Sequence, residues 1–121
     1  MEHLMNDVMT VEHVGDTCIV TIMLRELNSA SADDLSSQLL ALLNEGPSKK
    51  FMLDFDSVRY MESACLGAMV AFVKELGRFD GKIVMVNVSE NVRFLFAVTG
   101  LDKIFPIHRD VLSAMEALQQ E

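Results

Sequence analysis

Residues 51–67 read FMLDFDSVRYMESACLG, and this stretch decides which fold the chain takes. The apolar run Phe51–Phe55 is short and is bounded by charged residues, which predicts a buried strand. Residues 56–62 predict a connecting loop. From Ser63 onward, apolar side chains recur at helical spacing. They are Leu66, Met69, Val70, Val73 and Leu76. The stretch therefore predicts strand, loop and helix in that order, with Ser63 at the start of the helix.

On the N-terminal side of this stretch, the pattern predicts a hairpin followed by a helix. Residues 8–14 and 18–24 are strand-like, and Gly15-Asp16 between them is a turn signal. Residues 28–31 form a polar segment with helix-capping side chains. The helix that follows should stop at Gly46-Pro47. Its apolar stripe consists of Leu35, Leu39, Leu42 and Leu43.

On the C-terminal side, strands and helices continue to alternate. Residues 83–88 predict another buried strand, and Ser89 is a candidate N-cap for a short helix that ends near Gly100. Residues 104–107 predict a last short strand. Residues at helical spacing then mark a C-terminal helix, namely Val111, Leu112, Met115 and Leu118. We therefore expect one α/β domain over residues 1–121, with a mixed β-sheet, an N-terminal hairpin and helices packed against the sheet.

Composition and charge exclude several classes of function. Half of the 121 residues are hydrophobic, so the chain can pack a core, and its net charge is −8. This acidic balance argues against nucleic-acid binding and against an anionic membrane surface, since both need clustered Lys and Arg. No apolar run reaches the roughly 20 residues of a membrane-spanning helix. We expect a cytoplasmic protein without membrane insertion, in which Cys18 and Cys65 are free thiols because they form no CxxC motif.

Ser63 stands at a position that favours phosphate. The first N–H groups of a helix have no partner inside the helix, and together with the helix dipole they attract anions. Phosphorylation of Ser63 would add about −1.5 to −2 charges beside Glu62, which could repel a partner's surface. A purely structural role also stays open from these residues alone. In that role Ser63 only caps the helix, which is worth about 1 kcal/mol.

Residues 51–55 and 58–67 together resemble the central motif of the STAS domain, the fold of bacterial anti-sigma factor antagonists. The family pattern is an apolar strand that ends near an Asp, a short loop, and then Asp-Ser-Ser-Gly-Leu-Gly. The likeness covers nearly the whole chain with consistent spacing. Residues 26–28 stand where the family often has Glu-Leu-Asp, residues 81–86 look like its next strand, and residues 92–105 look like its late helix and final strand. The resemblance implies a single STAS-type α/β domain.

The resemblance implies a protein-interaction switch and not an enzyme. In that family the first serine after the acidic residue accepts phosphate, and by position that serine is Ser63. The partner is a serine kinase that is also the anti-sigma factor. The unphosphorylated antagonist binds this partner, the phosphorylated form is released, and a serine phosphatase resets it. No cofactor, metal or catalytic residue is implied, and the residues leave the oligomeric state open, although family members often act as monomers in one-to-one complexes.

The resemblance also implies a partner-binding surface made from two segments. Its residues would be Glu26, Asn28, Met61, Glu62, Ser63, Ala64, Cys65 and Leu66. Four positions depart from the family pattern: Glu62 and Asn28 each replace an Asp, Ala64 replaces a second serine, and Cys65 replaces a glycine. We expect Cys65 to place a side chain where a partner approaches. We expect Gly67, inside the helix, to pack closely against a strand or a partner.

Other interpretations of the same residues compete with the switch. Asp54 could be the phosphoacceptor of a receiver domain, but the acidic pair of such a domain is missing after the first strand, and Asp54 and Asp56 suit turn-forming roles. Cys65 could be a reactive thiol with His108 as its base, although a small buried side chain is its more ordinary role. The chain could also be a fixed, non-phosphorylated STAS subunit of a larger regulatory or lipid-transport assembly. An enzyme or nucleotide-binding protein is a further alternative, but the sequence has no Gly-rich phosphate loop and no convincing catalytic set.

Overall fold

The computed structural model describes residues 3–120, in which strands and helices alternate as the pattern predicts. The strands are β1 (His3–Met5), β2 (Met9–Val14), β3 (Thr17–Ile22), β4 (Glu26–Leu27), β5 (Lys50–Asp54), β6 (Tyr60–Met61), β7 (Lys82–Val86) and β8 (Ile107–His108). The helices are α1 (Ser29–Glu45), α2 (Ser63–Gly77), α3 (Glu90–Thr99) and α4 (Val111–Gln119).

The main sheet has the strand order β1-β2-β3-β5-β7-β8. β1, β2 and β3 are antiparallel neighbours, and β3, β5, β7 and β8 are parallel. Val20 pairs with Leu53, which pairs with Met85, so apolar side chains line up across the centre of the sheet. The predicted fold, an α/β unit with a mixed sheet and an N-terminal hairpin, is confirmed. The pattern did not predict β1, which pairs with β2 and widens the hairpin.

Helices cover both faces of the main sheet. On one face, Phe51 of β5 meets Phe72 of α2 edge to face, with ring centroids 5.1 Å apart, inside a core to which α1 and α3 also contribute. On the other face, Met52 packs with Ala114 and Leu118 of α4. Phe51 and Met52 are adjacent in sequence and point to opposite faces because side chains alternate along a strand. This explains why β5 reads as a continuous apolar run.

The parallel strands bring the helix N-termini to one edge of the sheet. α1, α2, α3 and α4 each follow the carboxyl end of one of the parallel strands β3, β5, β7 and β8. β4 and β6 form a separate two-stranded parallel sheet, which is inserted before α1 and before α2. The prediction of a loop over residues 56–62 was therefore wrong at Tyr60–Met61, which pair with Glu26–Leu27. A strand of two residues has no period that a sequence pattern could show.

The prediction of a strand over residues 104–107 was also wrong in its bounds. Gly100, at φ +75°, ends α3 and leads into a 3-10 helix, Leu101–Lys103. The strand then starts at Ile107. Phe105 is fully buried and packs edge to face on Phe96, with centroids 5.4 Å apart. The apolar character of this segment therefore comes from a packed turn rather than from strand pairing.

Candidate functional site

The N-termini of α1 and α2 lie side by side because backbone hydrogen bonds join the segments that precede them. The Arg59 N–H donates to the Arg25 carbonyl at 2.8 Å, and the Glu62 N–H donates to the Leu27 carbonyl at 2.8 Å. Between these two bonds, β4 and β6 pair in parallel. Two residues after this pairing the chain enters α1 at Ser29 and α2 at Ser63. The short sheet thus places two helix starts at one spot on the surface.

Ser63 is the first residue of α2 and its side chain is exposed. The N-cap is Glu62, whose backbone is extended (φ −79°, ψ 148°) and whose carboxylate makes no capping bond to α2. The structural interpretation of Ser63 as the N-cap was therefore wrong, because the cap lies one residue earlier. As a result, no side chain caps the first N–H groups of α2, and the positive end of the helix stays open beside the Ser63 hydroxyl.

The Glu62 carboxylate is directed to the neighbouring helix. Its Oε2 accepts hydrogen bonds from the Ser29 N–H at 3.2 Å and from the Ser29 hydroxyl at 3.0 Å. Sequence reasoning missed Ser29. The only local signal was a serine directly after the capping residue Asn28, and that signal does not identify Glu62 as its partner.

Asn28 is the N-cap of α1 and forms a complete capping box with Ser31. The Asn28 side chain accepts from the Ser31 N–H at 3.1 Å, and the Ser31 hydroxyl accepts from the Asn28 N–H at 3.0 Å. The side chain is half-buried and engaged in this cap, whereas Glu26, on β4, is exposed. Of these two proposed partner-binding residues, Glu26 therefore offers a free side chain and Asn28 shapes the backbone beneath it.

Cys65 points inward, which overturns the expectation that its side chain stands where a partner approaches. It is fully buried, and its Sγ–H donates to the Asn28 carbonyl at 3.1 Å. Burial, together with the negative charge of Glu62, raises the pKa of the Cys65 thiol. A raised pKa makes the nucleophilic thiolate scarcer, which is the reverse of what a reactive cysteine needs. The interpretation of Cys65 as a small buried residue is confirmed. Leu66 is likewise buried in the core, so both residues lie beneath the surface.

Six residues from the start of α2, the end of β6 and the neighbouring strand β4 are here called the Ser63 surface. It consists of Glu26, Met61, Glu62, Ser63, Ala64 and Gly67, of which Met61 is half-buried. Gly67 lies one helical turn after Ser63, and a Cβ added to it would meet nothing within 4 Å. The expectation that Gly67 packs against a neighbouring strand was wrong, because the residue faces open space. Apart from Met61, these side chains are acidic or small, and Ser63 adds an exposed hydroxyl.

The alternative sites take ordinary structural roles. Asp54 accepts a hydrogen bond from the Asp56 N–H at 3.0 Å and another from the Asn87 side chain at 3.1 Å, which confirms its turn-forming role. Among the described residues no group of three or more His, Cys, Asp or Glu side chains could hold a metal ion. The same part of the chain contains no helix with the length and apolar character needed to cross a membrane.

Comparison with protein families identifies the fold. The family model described as the STAS domain matches residues 8–114. The Bordetella bronchiseptica protein BtrV, named provisionally as an anti-sigma factor antagonist, is 28% identical over 92 residues, which are 76% of this chain and 78% of BtrV. The anti-sigma F factor antagonist of Paenibacillus polymyxa is 24% identical over 115 residues, which are 95% of this chain and 97% of that protein.

A solved structure extends the likeness to three dimensions. The anti-sigma factor antagonist SpoIIAA in its unphosphorylated form superposes with a TM-score of 0.78, covering 92% of this chain and 96% of SpoIIAA at 19% identity. SpoIIAA, described as a Bacillus cell fate determinant, is also known in a phosphorylated form, which superposes with a TM-score of 0.70 at 18% identity over 92% of this chain and 99% of that one. At these identities the likeness establishes a shared fold.

Proposed function

Because this chain belongs to the STAS domain family, we propose that it is an interaction switch of the anti-sigma factor antagonist type, gated by phosphorylation of Ser63. The observation that carries this proposal is the exposed Ser63 hydroxyl at the uncapped start of α2. A hydroxyl in that place is accessible to a kinase. A phosphate attached there also meets free N–H donors and the positive end of the helix.

The electrostatics of the Ser63 surface suit release after phosphorylation. The phosphate adds about −1.5 to −2 charges to a surface that already presents Glu26 and Glu62, on a chain of net charge −8. The helix N-terminus accommodates the phosphate, so the fold is preserved, while a partner that matched the unphosphorylated surface meets a new charge. One covalent change thereby controls one interface.

The partners that fit this proposal are those of the family. They are a serine kinase that is also the anti-sigma factor, which binds the unphosphorylated Ser63 surface, and a serine phosphatase that restores it. The phosphorylated form of SpoIIAA supports the proposal as a precedent on the same fold. We place the switch in the cytoplasm and assign it no catalytic residue, metal or cofactor of its own.

The test is phosphorylation followed by binding. Purified protein is incubated with native-source lysate and ATP, with Ser63→Ala in parallel and Ser113→Ala, at the start of another helix, α4, as the matched control. We expect one added phosphate, mapped to Ser63, on the wild type and on Ser113→Ala, and none on Ser63→Ala. In binding assays with the kinase identified in this way, Ser63→Ala should bind constitutively and Ser63→Asp should bind more weakly.

Two outcomes would contradict the proposal. The first is a protein that gains no phosphate while a known kinase substrate in the same lysate is labelled. The second is equal binding of the partner by Ser63→Ala, Ser63→Asp and the wild type. A stoichiometric complex that is insensitive to ATP would instead favour a fixed STAS subunit of a larger assembly.

A further inference from the structure

α1 begins with two capping groups that come from different parts of the chain. Asn28 accepts from the Ser31 N–H, three residues into the helix. The Ser29 N–H is a separate unpaired donor of the first turn, and Glu62 supplies its acceptor from 33 residues away in sequence. The Ser29 hydroxyl donates to the same carboxylate oxygen. Glu62 thus serves as a second cap for α1 while it occupies the N-cap position of α2.

The identity of residue 62 explains this arrangement. Asp is among the strongest N-cap residues because its short side chain reaches back to its own helix, whereas Glu is not. With one more methylene group, the Glu62 carboxylate reaches across to Ser29, and no side chain caps the first turn of α2. The direction of the Glu62 side chain therefore leaves open the start of α2, where a phosphate on Ser63 would lie.

We propose that Ser29 is a positioning residue of the switch: it holds Glu62 in the unphosphorylated chain, and a phosphate on Ser63 weakens that hold. This inference rests on the proposed function, because it concerns how phosphorylation of Ser63 changes the surface. The phosphate introduces about −1.5 to −2 charges next to Glu62 in the chain, and the two neighbouring anions repel each other, which disfavours the present position of the Glu62 carboxylate. Weakening the Glu62–Ser29 contact frees the start of α1, which lies directly after Glu26 and Asn28.

Other contacts between the segments that precede α1 and α2 should confine the loss of the Glu62–Ser29 contact to the start of α1. The Glu62 N–H to Leu27 carbonyl bond, at 2.8 Å, and the Cys65 thiol to Asn28 carbonyl bond, at 3.1 Å, join the two segments without Ser29. Because the Ser31 N–H keeps its Asn28 acceptor, its exchange with solvent should not respond to the phosphate. Ser31 therefore serves as an internal reference for Ser29.

The experiment measures amide exchange with solvent by NMR on the isolated protein, with phosphoserine encoded genetically at position 63. The variant Glu62→Asp keeps the negative charge, but its shorter side chain should not extend to Ser29. Ser113→Ala, at the start of α4, is the control for an unrelated helix start. We expect exchange of the Ser29 amide to accelerate roughly fivefold on phosphorylation, as for the loss of one ordinary hydrogen bond, because solvent at this exposed site screens the charge of Glu62. Glu62→Asp should accelerate it by a similar factor without phosphate, and phosphorylation should then add little. Exchange of the Ser31 amide should not change on phosphorylation. In the Ser113→Ala variant, exchange of the Ser29 amide should equal that of the wild type.

The inference is overturned if phosphoserine leaves the exchange of Ser29 unchanged, or if phosphoserine and Glu62→Asp act additively. Because the phosphoserine is encoded, the result does not depend on the existence of a cellular kinase. A failure of the proposed function would appear in the lysate experiment, and a failure of the Ser29 contact would appear in this one.

Discussion

Gly67→Ala should stabilise the isolated protein. Gly67 lies inside α2, on the exposed side of the helix, and a Cβ at this position would meet nothing within 4 Å. Glycine in a helix interior is less favourable than alanine by about 0.8–1.0 kcal/mol, because it loses more backbone freedom on folding. With no steric cost to subtract, most of that difference should appear as a gain in the free energy of unfolding.

Gly81→Ala provides the matched comparison with the opposite sign. A Cβ on Gly81 would lie 2.6 Å from the carbonyl oxygen of Lys49 and would also overlap the side chain of Leu76. The Lys49 carbonyl accepts from the Lys82 N–H at 2.9 Å, so this backbone cannot move freely. We expect Gly81→Ala to destabilise the fold by about 1–3 kcal/mol, the usual cost of overpacking.

The assay is equilibrium unfolding in urea, followed by far-UV circular dichroism. With an m value of about 2 kcal/mol per molar urea, Gly67→Ala should raise the midpoint by roughly 0.4 M, and Gly81→Ala should lower it by roughly 0.5–1.5 M. A Gly67→Ala protein that is less stable than the wild type would refute the reasoning, because it would mean that residue 67 packs against another part of the chain.

If the proposed partner approaches α2 closely, Gly67→Leu should be as stable as Gly67→Ala in urea and should bind that partner more weakly.

The remaining predictions concern the thiols and the start of α1. Burial raises the pKa of Cys18 to about 12 and also raises that of Cys65, so both thiols should resist alkylation by iodoacetamide at pH 8 in the folded protein and react once urea unfolds it. Rapid labelling of Cys65 in the folded protein would contradict this protection. Because both thiols have a higher pKa in the folded than in the unfolded chain, the free energy of unfolding should be constant below about pH 8.5. It should fall as the pH rises further, since the thiols of the unfolded chain ionise first. Asn28→Ala removes the N-cap of α1 and should cost about 1 kcal/mol in urea unfolding, whereas Asn28→Asp should retain the cap, and equal stability of the two variants would argue against the capping role.

Much of the fold follows from hydrophobic periodicity, which the sequence displays directly. The apolar run of β5 is buried on both faces of the sheet, and the apolar stripes of α1 and α2 pack on one of those faces. These patterns are local and report burial, so strands, helices and their order could be predicted. Ser63 could be located at a helix start for the same reason, since the helical spacing begins there.

The geometry of the site required the tertiary structure. β4 and β6 are two residues each, too short for any period, and they form only because the chain brings residues 26–27 beside residues 60–61. Cys65 is buried because its position in α2 lies on the side of the helix that faces the core. The Glu62–Ser29 contact joins residues 33 positions apart. The sequence by itself determined which segments are buried and which serine stands at the start of α2. Only the fold decided which side chains meet there, because contacts between distant residues depend on the path of the whole chain and leave no local pattern.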